Sequence, residues 1–435
     1  MSYADFLAAK QRRQCENGFR IGRDDVSTAL FDWQREGVAW AVGKGRAALW
    51  WSTGLGKTRA QIEWGRIISR HTGAPTLIVA PLAVCEQTVR EAVRIGVEAT
   101  YARTPENAPD TGLWVTNYEM VDHFDPRHLA GAVLDEASIL KQSDGKTRTR
   151  LIKHFAPVDY RLSCTATPAP NDPEELTNQA EFLGVMPRTE MLAAYFVHDQ
   201  DGWRLKRHAV GPMYRWMTSW AMAMRTPSDI GYPDDGYILP ELHIIPEIVH
   251  VDMEAPDGQL FKADLGGIGG RSEVRRLTLD ARVQRAVELV KAEPDEPWLL
   301  WTGLNDEASA LAAALPGSVN VLGSWTPEEK AAAYLGFADG TVKYLVTKPS
   351  MSAMGLNFQH CARQAFVGMN DSWEMWFQAI RRSWRYGQKR EVNVHAVLSH
   401  LESQIADNVA RKGRQADRMV DGMVAAMRET WGKDR

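Results

Sequence analysis

The sequence predicts an α/β protein made of two tandem parallel-sheet lobes, with a mainly helical insertion between them. Three observations carry that expectation. A chain of 435 residues is longer than one hydrophobic core ordinarily organises, so two or more domains are expected. Short apolar runs alternate with helix-length mixed segments in two separate series, the pattern of parallel strands joined by helices. Between the two series, residues 188–245 lose that rhythm.

In chain order, residues 1–24 open with the polar stretch MSYADFLAAKQRRQ and read as an N-terminal extension. The first lobe covers 25–187. Its strand candidates are AALWWS (47–52), TLIVAP (76–81), LWVTNYE (113–119), GAVLDE (131–136) and YRLSCTATP (160–168). Each apolar run ends in polar, Gly or Pro residues, as a buried strand does when it reaches a loop. Residues 188–245 contain WRLKRHAVGPMYRWMTSWAMAMRTP and the turn-rich SDIGYPDDGYILP, read as the helical insertion. The second lobe covers 246–405, led in by HIIPEIVHV (243–251). PWLLWTG (297–303), SVNVLG (318–323), YLVTK (344–348), AFVGMN (365–370) and VNVHAVL (392–398) follow. DGQLFKADLGGIGG (257–270) reads as a flexible connection. The tail, 406–435, has apolar residues three or four apart and reads as a solvent-exposed helix.

Composition narrows the function classes. A net charge of −4 gives no global argument for nucleic-acid binding, so any such site must be a local patch. The four cysteines, Cys15, Cys85, Cys164 and Cys361, form no CxxC pair and support neither a zinc site nor a disulfide framework. No apolar run reaches membrane-spanning length, and a cytoplasmic protein is expected.

The strongest chemical signal is WSTGLGKT (51–58), placed between a strand candidate and a helix candidate. Thr53, Gly54, Leu55 and Gly56 can form a tight loop whose successive N–H groups point at phosphate oxygens. Lys57 can reach the β- and γ-phosphates, the Thr58 hydroxyl can ligate Mg²⁺, and the helix start adds its positive end. Trp51 stands where the full phosphate-loop pattern has its first glycine. VLDEAS (133–138) supplies the other half of an ATP site. Asp135 would hold Mg²⁺, usually through water, and Glu136 would polarise the attacking water. Gln34, in LFDWQREGVAWAV ahead of the loop, can donate to and accept from adenine, or simply lie on a helix surface.

With these residues placed, the chain resembles the superfamily-two helicases and translocases. The resemblance is closest to the Swi/Snf-type DNA-dependent ATPases, in the compact form coded by phages and prophages. It runs in order over about residues 28–405. FDWQREGVAW resembles the adenine-contacting motif, STGLGKT motif I, LIVAPLAVCEQ (77–87) motif Ia and TNYE (116–119) motif Ib. DEAS resembles motif II, with Ser138 where the DEAH relatives carry histidine, and SCTATP (163–168) resembles motif III. LLWTG (299–303), SMSAMGLNFQHC (350–361) and QAIRRSWRYGQ (378–388) resemble motifs IV, V and VI.

The resemblance implies two RecA-like lobes that close on ATP and Mg²⁺. Arg382 and Arg385 would be arginine fingers from the second lobe, with Gln378 helping to bind nucleotide or water. Ser163, Thr165 and Ala166 would couple the ATP site to DNA, and Gly355 and Asn357 would sit near both. The chain departs from the family pattern at Ser352 and Ala353, at Arg381 in place of an aspartate, and at Trp384 in place of a histidine.

Three basic stretches are candidate DNA contacts: KQSDGKTRTRLIK (141–153), WRLKRHAVGPMYRWMTSW (203–220) and motif VI itself. Lys141, Lys146, Arg204, Lys206, Arg207 and Lys389 are the named phosphate contacts, and Arg390 goes to solvent or DNA phosphate. Trp216 and Trp220 either stack on bases or pack the insertion. The expected activity is ATP-dependent translocation on double-stranded DNA by a monomer. Strand separation in the 3′→5′ direction and a non-translocating DNA clamp stand as alternatives, and single-stranded or branched DNA as alternative partners. A nuclease or methyltransferase activity would have to come from a partner in trans.

Overall fold

The computed structural model describes residues 18–141, 145–200, 202–251, 275–354, 357–368 and 372–431. The stretch 257–270, read above as a flexible connection, lies outside them, as does Gly355. The chain divides into two units, residues 1–235 with 414–435, and residues 236–413.

The first unit is built on a seven-stranded sheet of order β3-β4-β2-β5-β6-β1-β9. Its strands are β1 (Arg46–Trp51), β2 (Thr76–Ala80), β3 (Ala99–Tyr101), β4 (Leu113–Asn117), β5 (Gly131–Asp135), β6 (Tyr160–Cys164) and β9 (Ala221–Met224). All neighbours pair in parallel. The central strands are buried throughout, which is why they read as continuous apolar runs rather than as alternating ones. Helices Asp32–Lys44, Lys57–Thr72, Leu82–Arg94 and Lys146–Phe155 make the connections.

The stretch 188–245 is not mainly helical. It holds two short helices, Arg188–Tyr195 and Val210–Met217, and an antiparallel hairpin of β7 (Phe196–Asp199) and β8 (Gly202–Leu205). It also contains β9, which extends the first sheet beside β1. The AMAM sequence of β9 lacks β-branched residues, so propensity points to helix, and pairing with β1 overrides it. Trp216 and Trp220 are core residues. Trp220 packs edge-on to Trp50 at 5.4 Å, and Trp216 stacks on Tyr195 at 5.7 Å.

The tail helix Ser403–Trp431 is not simply solvent-exposed. Met419, Met423, Val424 and Met427 are buried, the Ala223 amide donates to Met427 Sδ at 3.1 Å, and Arg428 pairs with Asp229 at 3.0 Å. The apolar spacing seen in the sequence is the stripe by which this helix joins the first unit. No described helix is long and apolar enough to cross a membrane.

The second unit is built on a six-stranded parallel sheet of order β10-β15-β14-β11-β13-β12. The strands are β10 (Leu242–Val249), β11 (Trp298–Thr302), β12 (Ser318–Asn320), β13 (Tyr344–Thr347), β14 (Arg363–Val367) and β15 (Val392–Ser399). Side chains alternate across this sheet as the two-residue period demands. Leu299, Trp301 and Phe366 join one core with helices Pro327–Ala338 and Trp373–Ile380. Trp298, Leu300, Ala365 and Val367 join another with helices Leu279–Ala292 and Asn305–Ala314. Burial of each such side chain contributes about 1.5–3 kcal/mol, so both faces need their helices.

Candidate active site

At the C-terminal ends of β1, β6 and β5 the first sheet gathers the loop 52–56, Asp135 and Ser163. This is the edge of a parallel sheet where ligands ordinarily bind. Gly54 and Gly56 have φ of 89° and 70°, which any side chain would strain. Gly56 has a second reason to be glycine, because a Cβ there would lie 2.4 Å from Gln34 Nε2. Gln34 is buried and holds the loop. Its Nε2 donates to Leu55 O at 3.1 Å, and its Oε1 accepts from Phe31 N at 3.0 Å. Lys57 begins the helix Lys57–Thr72 and is 9% exposed, its Nζ donating to Trp51 O at 2.9 Å and Ser52 O at 3.4 Å. Thr58 follows it, half-buried.

Asp135 ends β5 almost fully buried. Burial raises its pKa, opposed by the Lys57 ammonium, by Gln61 and by the Glu136 amide, which donates to Asp135 Oδ1 at 3.2 Å. Tyr118 Oη donates to Asp135 O at 2.5 Å and fixes the strand end. Glu136 has φ 53°, the one positive φ outside glycine among the described residues. That backbone conformation costs about 1–3 kcal/mol and turns the chain sharply after the paired acids.

Ser163 is linked through one glutamine to Ala137, the residue after the acid pair. Ser163 Oγ donates to Gln179 Oε1 at 2.5 Å, and Gln179 Nε2 donates to Ala137 O at 2.9 Å. Beside it, Asn178 Nδ2 donates to Leu140 O at 2.8 Å. Thr165 is buried, and its Oγ1 accepts from Thr167 N at 3.0 Å, shaping the turn around Ala166. Asn178 and Gln179 escaped the sequence reading. The signal was present as two adjacent amides on the short helix Leu176–Leu183, both buried.

In the second unit the basic turn 378–390 separates into distinct roles. Arg381 stacks over Trp384 at 4.2 Å and over Phe377 at 5.0 Å, and Trp384 Nε1 donates to Pro240 O at 2.7 Å. Two of the four departing positions, Arg381 and Trp384, therefore make one structural stack. Arg390 is exposed and donates to Glu296 at 2.8 and 2.9 Å, an ion pair on the surface of the second unit. Lys389 is exposed and Gln378 half-buried. Arg385 has no ion-pair partner among the described residues. Burial, then the neighbouring Arg382, pushes its guanidinium down to about 10. Arg385 itself is half-buried. Gln388, which the sequence reading did not single out, folds the turn. Its Nε2 donates to Cys361 O and its Oε1 accepts from Lys389 N and Arg390 N.

The candidate DNA residues fall on different ground. Lys146 and Arg207 are exposed, Lys141 is half-buried, and Asn357 is exposed. Arg204 pairs with Asp199, and Lys206 Nζ donates to Ala193 O at 2.8 Å, so both are already engaged within the first unit. A small cleft at the ends of β11, β12 and β13 brings motifs IV and V together, lined by Thr302, Asn305, Thr347, Lys348 and Met351. Glu307 accepts from Gly303 N and Leu304 N at 2.9 Å and fixes the loop above it.

The residues at the first-sheet edge fit a nucleotide with Mg²⁺. Gly56 lets the loop close on Gln34, Lys57 is a buried cation, and Thr53 Oγ1 is buried without a hydrogen-bond partner among the described residues. Asp135 and Thr58 together offer the oxygen donors a hard cation takes.

No family model matches the chain, and no curated protein does. Among solved structures the chain is similar to the Sulfolobus solfataricus SWI2/SNF2 ATPase core in complex with dsDNA, at 17% identity and TM-score 0.45, covering 94% of this chain and 98% of that one.

Proposed function

We propose that the protein is a DNA-dependent ATPase that couples ATP hydrolysis to translocation on double-stranded DNA. The observation that carries this reading is the convergence of Lys57, Asp135 and, through Gln179, Ser163 at one sheet edge. Lys57 binds the β- and γ-phosphates, leaving its backbone carbonyl partners to do so. Thr58 and Asp135 would hold Mg²⁺, which would neutralise phosphate charge. Glu136, set by its strained backbone, accepts the proton of the attacking water. Arg385, with Arg382, supplies cationic charge to the transferred phosphoryl oxygens. The Ser163–Gln179–Ala137 chain is the route by which DNA contact alters the position of the acids.

Displacement of a third strand from a duplex tests the reading. ATP-dependent release of the third strand, absent in Lys57→Ala, is expected. Duplex DNA that neither stimulates hydrolysis nor permits release would contradict it.

A further inference from the structure

The hairpin β7–β8 carries an exposed aromatic tip on a rigid root. Its register pairs Phe196 with Leu205 and His198 with Trp203 on one face, and Val197 with Arg204 on the other. At the root, Phe196 and Tyr195 are buried, Lys206 N donates to Tyr195 O at 2.9 Å, and Lys206 Nζ caps the preceding helix. At the tip, His198 and Trp203 meet edge to face at 4.9 Å and 73°. Trp203 is 36% exposed, the one exposed tryptophan among the described residues, while others build the cores. The anchored root and the ring pair leave an indole at the tip that a flat ring can stack on.

The occupant's size is limited. One ring pair is far below the area of about 1,000 Å² that a stable protein interface needs. It matches a single flat ring, and the exposed Arg207 beyond the hairpin suits an adjoining phosphate. The hairpin also leans on the body of the first unit. β8 packs against the turn Pro173–Glu175, which lies a few residues after motif III and is tied by Asn171 N and Nδ2 to the Glu175 carboxylate at 3.0 and 2.8 Å.

We propose that this hairpin is a base-stacking element, in which Trp203, backed by His198, takes an unpaired nucleobase of DNA where a duplex opens. The proposal rests on the reading of DNA as partner and favours DNA that presents an unpaired base, single-stranded or forked. The test is binding of labelled single-stranded, forked and blunt-duplex DNA to the full chain at one fixed salt concentration, read by fluorescence anisotropy. Trp203→Ala is expected to weaken single-strand and fork binding about tenfold, with blunt-duplex affinity and thermal stability unchanged and Trp203→Phe close to wild type. Unchanged single-strand and fork affinity in Trp203→Ala overturns the proposal. So does an equal loss on blunt duplex with a shallower salt dependence, the mark of a phosphate grip. If the wild type hydrolyses ATP in response to duplex DNA while either of those results holds, only the hairpin assignment fails. If the wild type binds no DNA, both readings fail.

Discussion

The edge of the first sheet and the basic turn of the second unit use polar residues in opposite ways. At the first edge the side chains are interlocked: Gln34 holds the loop 52–56, Gln179 joins Ser163 to Ala137 next to the acid pair, and Tyr118 fixes the end of β5. In the turn 378–390 the cations are sorted instead. Arg381 is stacked, Arg390 is ion-paired, and Arg385 is half-buried with no ion-pair partner among the described residues. The difference suits two tasks. Positioning an acid and a water needs a braced frame, whereas answering charge that appears during reaction needs a cation not already neutralised.

The largest test of that contrast sets Arg385 against Arg390. Arg385→Ala should lower ATP turnover by about 10³-fold even with saturating DNA. Arg390→Ala should leave turnover near wild type and cost about 1 kcal/mol or less of stability, since its pair is partly exposed. Rescue of Arg385→Ala by more DNA, or equal losses from the two substitutions, would break the division.

A pH dependence tests the braced side. The Glu175 carboxyl is pushed up to about 7, burial first, against the opposing Asn171 hydrogen bonds. The folded chain therefore keeps a proton that the unfolded chain loses in the ordinary carboxylate range. Stability should fall as pH rises from there to about 7, by at most about 3 kcal/mol, and stay lower above it. Melting temperatures between pH 5 and 8 should show the slope in wild type and a flatter profile in Glu175→Gln.

A smaller effect comes from Gln179→Leu. It strands Ser163 Oγ and Ala137 O, costing about 1–3 kcal/mol of stability. DNA stimulation of hydrolysis should drop more than basal hydrolysis does. Equal losses in both rates would reduce Gln179 to a packing role.

Most strands, and the glycine loop that sets Lys57 beside Asp135, were legible in the sequence because they depend on local pattern. A buried parallel strand must be apolar along its length, and a phosphate loop must place glycines and lysine at fixed spacing. The misread segments depend on tertiary partners. β9 is a strand because β1 offers it an edge, and the tail helix is part-buried because its methionine stripe has the first unit to cover it. The same holds within the site. Five basic residues in QAIRRSWRYGQKR look alike in sequence, and only Trp384 and Glu296 reveal which are spent. Gln179 stayed hidden because its partners lie at Ser163 and Ala137, each far from it along the chain.

The most direct test of the central claim is phosphate release with and without duplex DNA, in wild type and in Glu136→Gln, beside ATP binding for both. The account predicts duplex-stimulated hydrolysis in wild type, and in Glu136→Gln a loss of about 10²–10⁴-fold with ATP binding retained. Near-normal turnover in Glu136→Gln would contradict the assignment of the water-activating carboxylate. Wild-type hydrolysis indifferent to DNA would contradict the coupling.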